Sequence, residues 1–352
     1  MRDPQSFEPE SFEPHIFEPQ SFDDLRSLLE RLPEPSEEAR AAALARQARL
    51  TKPPGSLGRL EDLAVWLAGW RGEARARIRA PQVAVFAGEH GVAARGVSAY
   101  PPEVTAQMVA GFEAGGAAIN QICRAVGARL SVHPIALGRP TADLAQGAAM
   151  GEGEALEAVR VGMAALDPKA DLLAVGEMGI GNTTAAAALA HALHGGAPED
   201  WVGRGTGVDA RGLAAKAEAV RLGLAANREA ARDPLRALAA LGGRELAAIA
   251  GAVLAARLRR VPVVLDGFIA TVAAAPLEAA RPGALAHCVA GHLSAERAHG
   301  ALLARLGLDP ILSLGMRLGE GSGAALAVAV LRAAAECHAG MATFEEAGVS
   351  ER

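Results

Sequence analysis

The chain has 352 residues, 51% of them hydrophobic and 21% charged, with 40 glycines and only 3% aromatic side chains. That balance builds a large core from Ala, Leu and Val and excludes disorder along the whole length. Lys and Arg number 35 against 40 Asp and Glu, a formal charge of −5, so there is no long-range positive field for nucleic acid or an anionic membrane.

Cys123, Cys288 and Cys337 stand far apart without CxxC pairing, and no HExxH occurs. Neither a disulfide framework nor a metal site is expected, and a reducing cytoplasm fits. The longest apolar stretches, such as Gly323 to Ala335, are too short for the roughly 20 residues of a membrane span. The first residues lack the basic start and apolar centre of a signal peptide. They carry instead a five-residue repeat, Ser6-Phe7-Glu8-Pro9, Ser11-Phe12-Glu13-Pro14 and Ile16-Phe17-Glu18-Pro19, which fades into Ser21-Phe22-Asp23-Asp24. Regular prolines and acidic residues oppose both helix and collapse, so residues 1–23 are predicted to be a disordered or extended tail. It reads either as an extension without a role or as a docking peptide.

From Asp24 to Trp70 leucines recur at helical spacing: Leu25, Leu28, Leu29 and Leu32, then Leu57, Leu60, Leu63 and Leu67. Lys52-Pro53-Pro54-Gly55 interrupts them as a turn. After Pro81 short apolar runs alternate with glycine loops and helical stretches. The runs are 82–87, 129–137, 171–175, 261–265 and 311–314, and His287, His292 and His299 fall in what reads as one helical stretch. Buried parallel strands with crossover helices have this grammar, so the fold class is α/β, an open Rossmann-like parallel sheet. In such sheets ligands bind outside the carboxyl ends of the strands. That rule places Glu89, His90, Glu177, Asn182, Asp266 and Glu320 around one crevice.

The loop Gly176 to Thr184 opens a helix, and free amides with a positive dipole end suit a phosphate; a plain βα turn is the other reading. A second glycine loop, Gly203 to Asp209, precedes Lys216, which serves either a phosphate or the solvent. Glu320 lies between Gly319 and Gly321 ahead of an apolar helix. In an apolar crevice its charged form is destabilised, as a general base near neutral pH requires, whereas beside its own helix it would merely answer the dipole. Glu177 has the same two readings.

Taken together the loops resemble one family, the nicotinate-nucleotide–dimethylbenzimidazole phosphoribosyltransferases, over about Leu50 to Val349. The matching segments are Lys52 to Glu61, Gly96 to Pro101 with Glu103-Val104-Thr105, Gly115 to Asn120, Gly176 to Thr184, Gly203 to Asp209, Leu265 to Ile269 and Arg317 to Gly321. The resemblance implies transfer of phosphoribosyl from nicotinate mononucleotide to 5,6-dimethylbenzimidazole, without metal or cofactor, in a homodimer. It makes Glu320 the general base and Glu177 a second active-site carboxylate. It puts the phosphate site at Gly179, Gly181, Asn182, Thr183, Gly205, Thr206 and Lys216, and lines the aromatic-base pocket with Ser98, Tyr100, Gln107, Met178 and Leu318. It also implies a small helical domain built from both chain ends, residues 24–79 with about 325–352, beside an α/β domain over 80–324. Three positions depart from the family pattern: Glu89 and Ser313, where Asp is usual, and His133 in a strand that lacks an Asp-Gly. A non-catalytic module binding nucleotides or azoles is the alternative from another class; two carboxylates in one apolar crevice favour catalysis.

Overall fold

The computed structural model describes residues 18–350. Six strands form one sheet: β1 (Pro81–Ala87), β2 (Arg129–Pro134), β3 (Leu172–Met178), β4 (Val263–Leu265), β5 (Cys288–His292) and β6 (Pro310–Leu312). Every neighbouring pair is parallel, in the order β2-β1-β3-β4-β5-β6. This is the doubly wound order in which strand addition switches from one side of β1 to the other, between β1 and β3, a place where such sheets open a crevice.

Alternate residues of the strands feed two cores. Ala84, Phe86, Leu173, Val175, Val263 and Leu265 face one layer of helices, and Val83, Val85, Leu172, Ala174 and Val264 face the other. Both faces are covered, which is why the strands read as nearly continuous apolar runs. The low aromatic content is compensated by close helix packing. Between helices Glu152–Ala165 and Arg244–Leu258, a Cβ on Gly162 would stand 1.8 Å from the Ala248 carbonyl oxygen, and one on Gly251 would stand 2.0 Å from that of Val159. Alanine and glycine faces let these helices approach until backbone meets backbone, so dispersion contacts replace the bulk that aromatic rings would supply.

Two sequence expectations are corrected. The stretch with His287 and His292 is not helical: Cys288–His292 is β5, and only His299 lies in a helix, Arg297–Leu306. Five residues with a glycine and a single β-branched side chain carry little strand signal, and burial between two neighbours decides the matter. The expected tail also ends early. Helix Phe22–Glu30 begins inside it, capped by Ser21, whose Oγ accepts from Asp24 N at 3.1 Å while Asp24 Oδ2 accepts from Ser21 N at 3.0 Å. Phe22 is buried, its amide donates to Glu152 Oε1, and Arg160 donates to the Pro19 carbonyl. The repeats around Phe7, Phe12 and Phe17 lie outside the described residues.

The chain ends meet. Leu50 and Thr343 form an antiparallel bridge, and Arg46 donates to the carbonyls of His338, Ala339 and Met341. Helix Arg59–Arg71 packs with helix Ser322–Gly340 on one face of the sheet, whereas Phe22–Glu30 belongs to the core of the opposite face. The end-built helical unit is therefore proposed to exclude Phe22–Glu30.

Phe22→Ala is expected to cost about 3 kcal/mol and Ser21→Ala about 1 kcal/mol, each read as a lowered urea midpoint at unchanged slope.

Candidate active site

Beyond the carboxyl ends of β3 to β6 lies a cavity of about 510 Å³. Its geometry starts at Gly176 in β3. A Cβ there would stand 2.2 Å from the amide nitrogen of Gly321 and 2.5 Å from the carbonyl carbon of Glu320, so only glycine admits the loop that follows β6. The loop then hydrogen-bonds to the strand, Glu320 N donating to the Glu177 carbonyl at 3.2 Å. Glu320 itself holds a left-handed φ of 62°, between Gly319 at 84° and Gly321 at 77°, a conformation that costs a side-chain-bearing residue on the order of 1 kcal/mol. The two carboxylates expected to act together are thus joined by their backbones.

Both are buried and both line the cavity. Burial, reinforced by the negative charges of Asp266, Glu245 and Glu320, pushes Glu177 up to about 8, against the hydrogen bond that Asn182 Nδ2 donates to its Oε2. Glu177 is therefore mainly neutral at pH 7. Burial also raises Glu320, with the amide of Ile119 opposing and Asp266 adding to the rise. Its Oε2 is buried with no hydrogen-bond partner among the described residues.

Asp266 serves a different purpose from the one expected. Its Oδ1 accepts from Ala324 N at 2.8 Å, and further backbone amides at Gly323, Gly321 and Gly267 hold its carboxylate, which burial brings to about 6. It caps helix Ser322–Gly340 beneath the Glu320 loop and is absent from the cavity wall. His90 is likewise turned inward, its Nε2 2.5 Å from Glu245 Oε1 in a fully buried pair, and Glu89 accepts from Gly138 N at 2.6 Å. Neither lines the cavity.

One side of the cavity is polar. Helix Asn182–His194 starts at Gly181, and Asn182, Thr183, Gly179, Gly205 and Thr206 line the wall. Lys216 lies just behind, buried, its Nζ donating to Thr183 Oγ1 at 2.9 Å and to the Gly203 carbonyl at 3.0 Å. Desolvation pushes this ammonium down to about 8, with Glu296 pulling it back. Gly181 does not line the cavity but supplies the left-handed turn that starts the helix. The other side is apolar, formed by Tyr100, Val104, Met108, Met178, Ile180 and Leu318 with Phe268 and Ile269. Two of the residues expected here are elsewhere. Ser98 Oγ is engaged with Thr206 Oγ1 at 3.1 Å at the rim, and Gln107 is an exposed residue outside the lining.

Several lining residues went unnoticed in the sequence. His292 ends β5 and Ser294 and Glu296 follow it, and a strand that is not recognised hides its loop. Phe268 and Ile269 stood in plain view beside Asp266. Of the remaining departures, His133 stacks on Phe86 at 5.2 Å and pairs with Ser131 at 3.0 Å, and Ser313 is exposed after β6. Neither reaches the cavity.

Residues 32–349 match a family model described as phosphoribosyltransferase. A protein of Jannaschia sp. (strain CCS1) named nicotinate-nucleotide–dimethylbenzimidazole phosphoribosyltransferase is 65% identical over 316 residues, covering 90% of this chain and 94% of that one. A protein of the same name from Ruegeria pomeroyi is 63% identical, covering 93% and 96%. The crystal structure of the Thermus thermophilus enzyme of that name superposes with a TM-score of 0.83 at 44% identity, over 90% of this chain and all of that one. The chain belongs to this phosphoribosyltransferase family. Within the family fold, the contact between strand end and loop that joins Glu177 to Glu320 sets the cavity's chemistry. No helix among the described residues is long and apolar enough to cross a membrane.

Glu177 gives a test in stability. Unfolded, its proton leaves near the ordinary 4.5; folded, it stays until about 8. Between those values the folded state binds more protons, so this group's contribution to stability falls as pH rises. Glu177→Gln escapes that loss, and its melting temperature is expected to exceed the wild type's by a margin that widens from pH 5 to pH 8.

Proposed function

We propose that the chain transfers the phosphoribosyl group of nicotinate mononucleotide to 5,6-dimethylbenzimidazole, giving α-ribazole 5′-phosphate and nicotinate, a step of cobalamin biosynthesis. The single observation that carries this reading is that two buried carboxylates, Glu177 and Glu320, line one cavity together with apolar side chains and with Thr183, which Lys216 backs.

The apolar side, with Tyr100, Met178 and Leu318, suits a flat bicyclic base, and the Lys216 side suits the 5′-phosphate. Between them Glu320 takes the proton from one benzimidazole nitrogen while the other nitrogen attacks C1′ of the ribose. The bond from C1′ to the pyridine nitrogen breaks and its electron pair returns to that nitrogen, so nicotinate leaves as a neutral ring, and attack from the opposite face inverts β to α. The leaving group starts as a cationic pyridinium, so one base and correct positioning suffice and no cofactor is called for. Neutral Glu177 has a proton to donate to a ribose hydroxyl or to share with Glu320. Glu89 and Ser313 lie off the cavity, so base selectivity rests on Tyr100, Met108, Met178 and Leu318.

Homodimer formation is part of the proposal. Tyr100, Leu314 and Leu318 leave 55%, 59% and 57% of their surfaces exposed, and Tyr100 and Leu318 belong to the cavity wall itself. A second copy covering them would close the mouth, and sedimentation velocity tests this. A cytoplasmic setting is proposed on the three free cysteines, Cys123, Cys288 and Cys337.

Glu320→Ala is expected to reduce nicotinate release by roughly 10²–10⁴-fold, and Glu320→Gln by a similar factor; full activity in either would overturn the reading, and a panel of benzimidazoles, adenine and phenols scored by turnover would show the preferred base. Lys216 loses its charge as pH passes about 8, so KM for nicotinate mononucleotide should rise above that pH while KM for the base stays level. Glu177 titrates in the same range, and the rise should persist in Glu177→Gln.

A further inference from the structure

The polar side of the cavity contains an acid where an anionic ligand is expected. Glu296 follows β5 in a turn fixed by two hydrogen bonds, from Glu296 N to Ser294 Oγ at 3.2 Å and from Ser294 N to His299 Nδ1 at 2.9 Å. From there its Oε1 accepts the amide of Gly205 at 2.9 Å. A Cβ placed on Gly203 would stand 1.8 Å from its Oε2, so the carboxylate lies flat across the Gly203–Gly205 backbone. Arg317, from the loop that carries Glu320, donates to the Gly205 carbonyl at 2.9 Å. One glycine is therefore held by an acid at its N–H and by a base at its C=O. Lys216 Nζ stands 2.8 Å from where a Gly205 Cβ would be.

We propose that Glu296 is an internal anion that occupies the phosphate seat of the empty enzyme and is exchanged for the 5′-phosphate of the incoming nucleotide. The inference rests on the phosphate reading of the Lys216 side. A phosphate seated on Lys216, Thr183 and the Gly205 amide would share its hydrogen-bond donor with Glu296 and stand beside a like charge in a cavity of reduced dielectric, where repulsion is strong. Glu296 is only partly buried and sits at the start of helix Arg297–Leu306, so rotation of its own side chain releases the amide without moving the backbone. In the empty enzyme the same carboxylate compensates buried Lys216 and keeps the glycine loop in place. When product leaves, its return refills the seat.

The test is calorimetric titration with inorganic phosphate, nicotinate mononucleotide and nicotinate riboside on wild type, Glu296→Gln and Glu296→Asp, each variant first checked by thermal melting. Releasing one charge-assisted hydrogen bond and one repulsion is expected to tighten phosphate and mononucleotide about tenfold in Glu296→Gln. Glu296→Asp, a methylene short of the Gly205 amide, should fall between. The riboside, which has no phosphate, should bind equally to all three, and the gain should appear in KM rather than kcat. Unchanged or weaker phosphate binding in both folded variants overturns the exchange and leaves Glu296 as a clamp on the loop. If wild type does not bind inorganic phosphate and Lys216→Met leaves mononucleotide affinity unaltered, the phosphate reading itself fails and takes the exchange with it.

Discussion

The site depends on one backbone contact, the meeting of β3 at Gly176 with the loop Gly319–Gly321. No side chain fits between them. The hydrogen bond from Glu320 N to the Glu177 carbonyl then fixes the separation of two acids that are more than a hundred residues apart in sequence. Side chains hung on flexible loops lose part of their catalytic advantage to misplacement, whereas groups fixed through main-chain contacts keep it. The left-handed conformation of Glu320 is the local cost of this arrangement, and the helix that follows, capped by buried Asp266, holds it in place.

The same contact concentrates negative charge. Asp266, Glu245 and Glu320 all raise Glu177, and Asp266 raises Glu320, through a poorly solvated interior. Like charges in such a place push their protonation equilibria apart, and the neighbours answer differently. Asp266 is held by backbone amides and Glu245 by His90, Glu177 keeps a proton, and Glu320 is left with a bare oxygen. Four residues of nearly the same chemistry thus acquire four separate tasks from their surroundings.

Much of the fold was legible because burial on both faces gives strands such as 82–87 and 172–178 an unbroken apolar run. β5 was not, because Cys-Val-Ala-Gly-His carries neither alternation nor a row of β-branched residues, and its pairing is decided by β4 and β6. The missed strand took Ser294 and Glu296 with it. The placement of Glu177, Asn182 and Glu320 at the cavity follows from the rule that ligands gather at strand carboxyl ends. The same rule misplaces Glu89, His90 and Asp266, since it locates a loop end and not the direction of a side chain. Only the partners, Glu245 for His90 and the amides of residues 321–324 for Asp266, turn those groups inward. The proline repeat masks the Ser21–Asp24 cap, so the sequence pattern places Phe22 in a tail.

Helix Ser322–Gly340 links two distant parts of the molecule. It starts one residue after the loop bearing Glu320 and Gly321 and ends where Arg46 grips the carbonyls of His338, Ala339 and Met341. At 1.5 Å per residue it is a strut of roughly 28 Å, anchored at the far end by the N-terminal helices. Trimming the chain back past Met341 would therefore unfasten the strut from its footing and loosen the Glu320 loop from a distance, although nothing near the cavity had been touched.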